Sequence, residues 1–329
     1  MSDDAAVARD AVEEAAALGH PAVPPDATAA YGAHAQQVID FYAPRGAAVP
    51  ERSAPLVVLL HGGAWRAPYD RWHVSPLADF LARRGFAVAN VEYRCGAVAA
   101  PAATVPAQTA SVEAASVEVA GGAVPGGGGP VAGRWPETLD DVAAALDALP
   151  GLVRAALPGA DPGRIVLTGH SAGGQLALWA AARHVLPQGS PWRLERAPSL
   201  RGVVALAPIA DLRTADELGV CGGAVRQFLG AVGSASASGV DAVEARYAER
   251  LAHADPAALV PTGIATTVVQ GRTDIVVPPA VADAYADAAA KAGEVVGVTL
   301  LEGVGHFPLI DPGADACAVV AEEIAQLAF

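Results

Sequence analysis

Five residues, Gly169-His170-Ser171-Ala172-Gly173, link an apolar run to an alanine- and leucine-rich stretch. The run 164–168 reads as a strand and 174–184 as a helix. A strand that enters a helix through so short a link must turn sharply, and a serine at the apex then stands clear of the sheet. Flanking glycines suit such a turn, because a side chain there would meet crowded backbone. A glycine-serine turn without chemistry has the same five letters. What decides between the two is whether partners for the serine occur elsewhere in the chain.

The remaining sequence alternates in the same manner. Residues 38–42 alternate like a strand, and 56–60, 86–91, 202–206, 266–270 and 295–301 read as further strands. Several are continuous apolar runs, the signature of strands buried on both faces. Helical spacing covers 72–84, 139–149, 279–291 and 315–327. Strand and helix in alternation predict an α/β fold, a mostly parallel, doubly wound sheet flanked by helices. Residues 31–329 are expected to form this domain, with a small helical cap at 212–253. Residues 1–30 are rich in alanine and acids, then proline; a short helix fits 3–18, but a flexible segment is expected. The stretch 96–133 is low in complexity and is expected to be a mobile insertion.

The chain has 329 residues, 53% hydrophobic content and a formal charge of −14. That size supports a large core. The charge excludes nucleic acid and anionic lipid surfaces as partners. No apolar run approaches the ~18 residues of a membrane span, and the acidic start lacks a secretory pattern. Three scattered cysteines (Cys95, Cys221 and Cys317) fit a reducing compartment. A cytoplasmic protein follows as the expectation. The choice between monomer and homodimer stays open.

A serine hydroxyl becomes nucleophilic when a base takes its proton, and that base needs a carboxylate to orient it. His306, in the glycine-bracketed loop Gly303-Val304-Gly305-His306-Phe307, follows the last strand and is the candidate base. Asp274 follows the strand 266–270 and is the preferred acid. Asp211 is a rival, and Asp311 fits a cap of the last helix better. Backbone N–H groups are needed where negative charge develops. Gly62 and Gly63 allow close main-chain approach after the strand 56–60, and Ala172 follows the serine. His61 and His170 fit structural hydrogen bonding. His20, His34, His73, His184 and His253 do not cluster, so neither metal nor cofactor is expected. Trp65, Tyr69 and Phe307 flank the site and would line an aromatic pocket or simply pack there.

Together these motifs resemble the α/β-hydrolase superfamily in its HGG-bearing esterase/lipase branch. His61-Gly62-Gly63-Ala64-Trp65 is similar to the HGGxW motif of kynurenine formamidases (arylformamidases), and Tyr31-Gly32-Ala33-His34-Ala35-Gln36-Gln37 is similar to the segment leading into that family's first strand. The resemblance spans 31–329, interrupted by the low-complexity insertion. It implies an α/β-hydrolase fold with Ser171 as nucleophile, Asp274 as acid, His306 as base and an oxyanion hole at Gly63, Ala64 and Ala172. The implied function is a serine hydrolase cleaving a small-molecule ester or an aryl formamide through an acyl-serine intermediate. A general short-chain carboxylesterase is the alternative, since HGGxW occurs in broader acyl esterases. A ligand-binding protein without catalysis is the competitor from another class.

Overall fold

A computed structural model describes residues 4–45, 53–96, 131–232 and 237–329. Eight strands form one sheet: β1 (Ala27–Ala30), β2 (Val38–Tyr42), β3 (Ala54–Leu60), β4 (Ala87–Val91), β5 (Ala160–His170), β6 (Gly202–Leu206), β7 (Thr266–Gly271) and β8 (Gly297–Leu301). Their order is β1-β2-β4-β3-β5-β6-β7-β8. β1 and β2 pair antiparallel at one end, and β3 to β8 are mutually parallel.

The central strands are buried on both faces, and their side chains divide by parity. Leu56, Val58 and Leu60 of β3 join one core, together with Leu139 and Val142 of α3 (Glu137–Ala156), Leu176 of α4 (Ala172–Ala181) and Val281 of α8 (Pro279–Lys291). Val57 and Leu59 join the other, with Leu77 and Leu81 of α2 (Ser75–Ala82) and Val320 and Ile324 of α9 (Asp315–Ala328). The sheet is thus covered on both sides, as a parallel sheet must be. Between β6 and β7 lie three helices: α5 (Leu212–Glu217), α6 (Ala224–Phe228) and α7 (Ala237–Ala254).

Several boundaries differ from the sequence reading. The helix expected over 72–84 is a 3-10 turn, Arg71–Val74, followed by α2. α3 runs through Pro150 to Ala156. Proline inside a helix costs about 3 kcal/mol, which burial of Leu149, Val153 and Leu157 along the same face offsets. The largest difference is at the start. Residues 1–30, expected to be flexible, contain α1 (Asp4–Leu18) and the edge strand β1. α1 packs against the turn Phe307–Leu309, with Ala17 in the second core. The expected insertion at 96–133 lies outside the described residues except at its two ends.

Candidate active site

The parallel strands end together. Leu60 pairs with Gly169, His170 with Leu206, and Gly271 with Leu301. The segments that follow β3, β5, β7 and β8 therefore open on one rim, the usual place for chemistry in such sheets.

Ser171 stands in the turn between β5 and α4 with φ 56° and ψ −117°. Such a conformation costs about 1–3 kcal/mol and persists where its surroundings hold it. Its N–H donates to Leu206 O at 2.8 Å, and its carbonyl accepts from Ile209 N at 3.2 Å. A Cβ on Gly173 would fall 2.1 Å from Leu60 O, so α4 can start this close to β3 only with glycine there.

His306 and Asp274 meet. His306 Nδ1 lies 2.7 Å from Asp274 Oδ2, with both residues under 5% exposed. The other carboxylate oxygen accepts from the N–H groups of Val276 (2.8 Å) and Val277 (2.9 Å), and Gln270 Nε2 donates to Oδ2 at 3.1 Å. With Nδ1 donating to the carboxylate, His306 Nε2 is left as an acceptor. His170, next to the serine, points Nε2 at the His306 carbonyl (3.0 Å), and the two rings lie 4.3 Å apart. Burial, with His306 beside it, holds the His170 pKa well below the usual histidine value.

The rival acids are occupied. Asp211 caps α5, accepting from Thr214 N at 2.8 Å. Asp311 does not cap α9, whose N-cap is Ala314. It binds His20 Nε2 at 2.6 Å and Gly313 N at 2.8 Å, closing a turn against the segment after α1.

After β3 the backbone is left-handed at three successive residues, Gly63 (φ 97°), Ala64 (φ 51°) and Trp65 (φ 57°). For a bulky residue such as Trp65 this is an outlier. Packing holds it there. The Trp65 ring is fully buried and stacked on Phe228 at 4.4 Å, and its carbonyl accepts from Gly96 N and Gly133 N. Among the described residues Trp65 is therefore a packed anchor of the loop. Tyr69 packs directly on Gly63, where a Cβ would meet its own at 2.2 Å, and Phe307 stands perpendicular to the His306 ring at 5.2 Å.

The reading from sequence missed Glu92 and Tyr93, which follow β4 beside this loop. Tyr93 Oη donates to His61 O at 2.5 Å, and its ring stacks on His61 at 4.2 Å. Glu92 Oε1 meets His61 Nε2 at 3.1 Å, while Oε2 accepts from Arg71 N at 2.9 Å. Burial pushes the Glu92 pKa up, but His61 and Arg71 more than offset it and hold the group below its usual value. The only sequence signal was a charged residue closing an apolar strand. It gains meaning once β4 is known to neighbour β3.

The thiols are no rivals. Burial raises all three, Cys221 to about 11 and Cys317 to about 12, and leaves Cys95 well above the usual range. Among the described residues, no group of three or more His, Cys, Asp or Glu is placed to hold a metal ion, and no helix is long and apolar enough to cross a membrane.

Residues 57–320 match the family model described as the alpha/beta hydrolase family. The chain belongs to the alpha/beta hydrolase family. Solved structures agree on the fold. An esterase B from Lactobacillus rhamnosis, inhibited by a C4-C4 SN3 tributyrin phosphonate, superposes with a TM-score of 0.66 at 17% identity, covering 99% of this chain and 96% of that one. The native thermophilic esterase Est2 of the planctomycete Thermogutta terrifontis gives 0.61 at 18% identity, with 94% and 95% covered. A truncated carbohydrate esterase from gut microbiota also gives 0.61 at 18%, with 92% and 96% covered. At these identities the likeness establishes the alpha/beta hydrolase architecture. No curated protein matches the chain in sequence.

Proposed function

We propose that this chain is a serine esterase acting on small acyl esters or aryl formamides. The observation that carries the reading is the buried contact between His306 Nδ1 and Asp274 Oδ2 at 2.7 Å, on the rim that also holds the strained Ser171. Asp274 keeps the imidazole in the tautomer whose Nε2 accepts a proton. His306 takes the proton from the Ser171 hydroxyl as Oγ attacks the carbonyl carbon. Negative charge then gathers on the carbonyl oxygen. The backbone N–H groups of Ala64 and Ala172, with Gly63, supply the oxyanion hole, each donor being worth about 3 kcal/mol. Collapse of the tetrahedral intermediate breaks the bond to the alcohol or amine, and His306 returns the proton to that leaving group. Water, deprotonated by His306, then releases the acid from the acyl-serine.

The burial of Ser171, 4% exposed, suits a small acyl group. Within this class the HGGxW-like segment favours a kynurenine formamidase-like activity, with a short-chain carboxylesterase as the alternative reading. The likeness to solved esterases supports the ester half. Three unpaired thiols suit a reducing, cytoplasmic setting. The test is a side-by-side kcat/KM comparison of N-formylkynurenine with acetyl and butyryl nitrophenyl esters. A formamidase prefers the first by tenfold or more, a factor of ten being about 1.4 kcal/mol of transition-state binding. A chain that turns over neither substrate type overturns the proposal.

A further inference from the structure

α1 is an unusual surface helix. Its valines Val7 and Val12 face solvent, 54% and 69% exposed, while the side it turns to the protein carries the charged Arg9, Asp10, Glu13 and Glu14 beside Ala6, Ala17 and Leu18. An amphipathic helix normally buries the opposite set. Hydrophobic burial therefore explains little of why α1 sits where it does, and its polar contacts explain more.

Two of those contacts reach the loops of Asp274 and His306. Arg9 Nη2 donates to the carbonyl of Thr273 at 2.9 Å, and Thr273 immediately precedes Asp274. The Glu13 carboxylate rests on the backbone of Gly305, which immediately precedes His306; burial raises its pKa, while Arg9 and the Gly305 backbone N–H pull it down. The approach is so close that a Cβ on Gly305 would fall 1.9 Å from Glu13 Oε2. Arg9 and Glu13 are themselves paired along the helix at 3.8 Å. The loops carrying the acid and the base also touch each other, since Thr273 bonds Val304 O through both its N–H and its hydroxyl. A closed set of contacts results, running from the acid loop to Arg9, to Glu13, to the base loop and back.

We infer that α1 is a strut for the proposed catalytic pair, with Arg9 and Glu13 as positioning residues that set the Asp274 loop against the His306 loop. The inference rests on the esterase reading for what the pair does, and on the contacts above for how it is held. A helix bound mainly by polar contacts contributes little to global stability. A displacement of about 1 Å at a reacting group, however, lowers the rate by up to about 100-fold. The strut should therefore be visible in kcat rather than in the melting temperature.

The test uses the full chain and hydrolysis of p-nitrophenyl acetate. Arg9→Ala and Glu13→Ala are expected to lower kcat by about 10- to 100-fold, with KM within twofold and Tm little changed. The double variant should lose little more than either single, because both remove one device. Arg9→Lys and Glu13→Gln should restore most of the rate, since a lysine still donates to Thr273 O and a glutamine still rests on Gly305. The Glu13→Gln rescue separates polar positioning from the loss of nearby charge, since only that variant removes a charge. Val12→Ala, on the outer face, serves as the unaffected control. A second readout needs no turnover: the downfield Nδ1 proton of His306, identified by its loss in His306→Ala, should broaden or shift upfield in both alanine variants. If kcat and this proton are unchanged in both, the strut is overturned. It is equally overturned if the rate falls only in step with Tm and the glutamine variant gives no rescue. Should the wild type cleave no ester while the proton still responds to the α1 substitutions, the strut stands and the esterase reading fails.

Discussion

The two sides of the strand-end rim are held by different forces. Beyond β7 and β8, Asp274 and His306 sit in a web of hydrogen bonds in ordinary backbone conformations. Val276, Val277 and Gln270 hold the carboxylate, and His170 holds the base through its carbonyl. Beyond β3, the segment Gly63–Trp65 is kept in left-handed backbone by packing, with Trp65 clamped on Phe228 and His61 wedged between Glu92 and Tyr93. A site that moves protons needs atoms at set distances, and directional bonds supply those. The oxyanion hole we propose needs N–H groups aimed at one point, and a strained loop held by a rigid core suits that. Ser171 lies between the two and shares both devices: a strained turn, and backbone bonds to β6.

That contrast can be broken by substitution, beginning where both sides converge. Ser171→Ala should lower kcat by about 10⁴-fold or more while leaving Tm nearly unchanged; retention of most nitrophenyl ester turnover would remove the serine from the mechanism. On the bonded side, Asp274→Asn should reduce kcat by about 10³- to 10⁴-fold through a misoriented imidazole. Asp211→Asn should leave catalysis within a few-fold and act only on the start of α5. Equal losses from the two would mean that the acid has been misassigned.

On the strained side, Gly63→Ala places a Cβ into Tyr69 at a φ of 97° that alanine resists. The expected loss is about 10²-fold in kcat, one oxyanion donor's worth, together with a lower Tm, a combination the bonded side does not show. The smallest effect belongs to Glu92→Gln. Because the folded protein holds Glu92 below its usual value, the pair with His61 adds stability that is full above about pH 4.5 and is lost as pH falls through the depressed value. The variant should be about 1–2 kcal/mol less stable near pH 7 and indistinguishable from wild type at strongly acidic pH. Parallel denaturation curves at both pH values would show that the pair does not brace the loop.

Much of this architecture was legible from local pattern. Local pattern marked seven of the eight strands, by alternation at 38–42 and by mainly apolar runs in the other six; the central runs are apolar because a parallel strand buried on both faces has to be. Ser171, Asp274 and His306 were legible because each follows a strand end, and the parallel sheet aligns those ends. The misses have one common character. β1 is four small residues, Ala27-Thr28-Ala29-Ala30, with no strong alternation, and only its pairing with β2 makes it a strand. Glu92 and Tyr93 looked like the polar end of a strand until β4 was placed next to β3. For Trp65 the sequence left pocket lining and packing open, because position in sequence cannot tell an aromatic facing a ligand from one stacked on Phe228, far along the chain.

Sequence alone determined the alternating strands and helices, the strand-turn-helix at Ser171 and the chemical types of the three rim residues, since all of these follow from neighbours a few positions apart. Tertiary structure decided which aspartate meets His306, which aromatic is buried, and that an acidic helix lies against the loops carrying Asp274 and His306. Those outcomes depend on strand order and on polar contacts between segments more than two hundred and fifty residues apart, as from Arg9 to Thr273, and no local periodicity encodes such contacts.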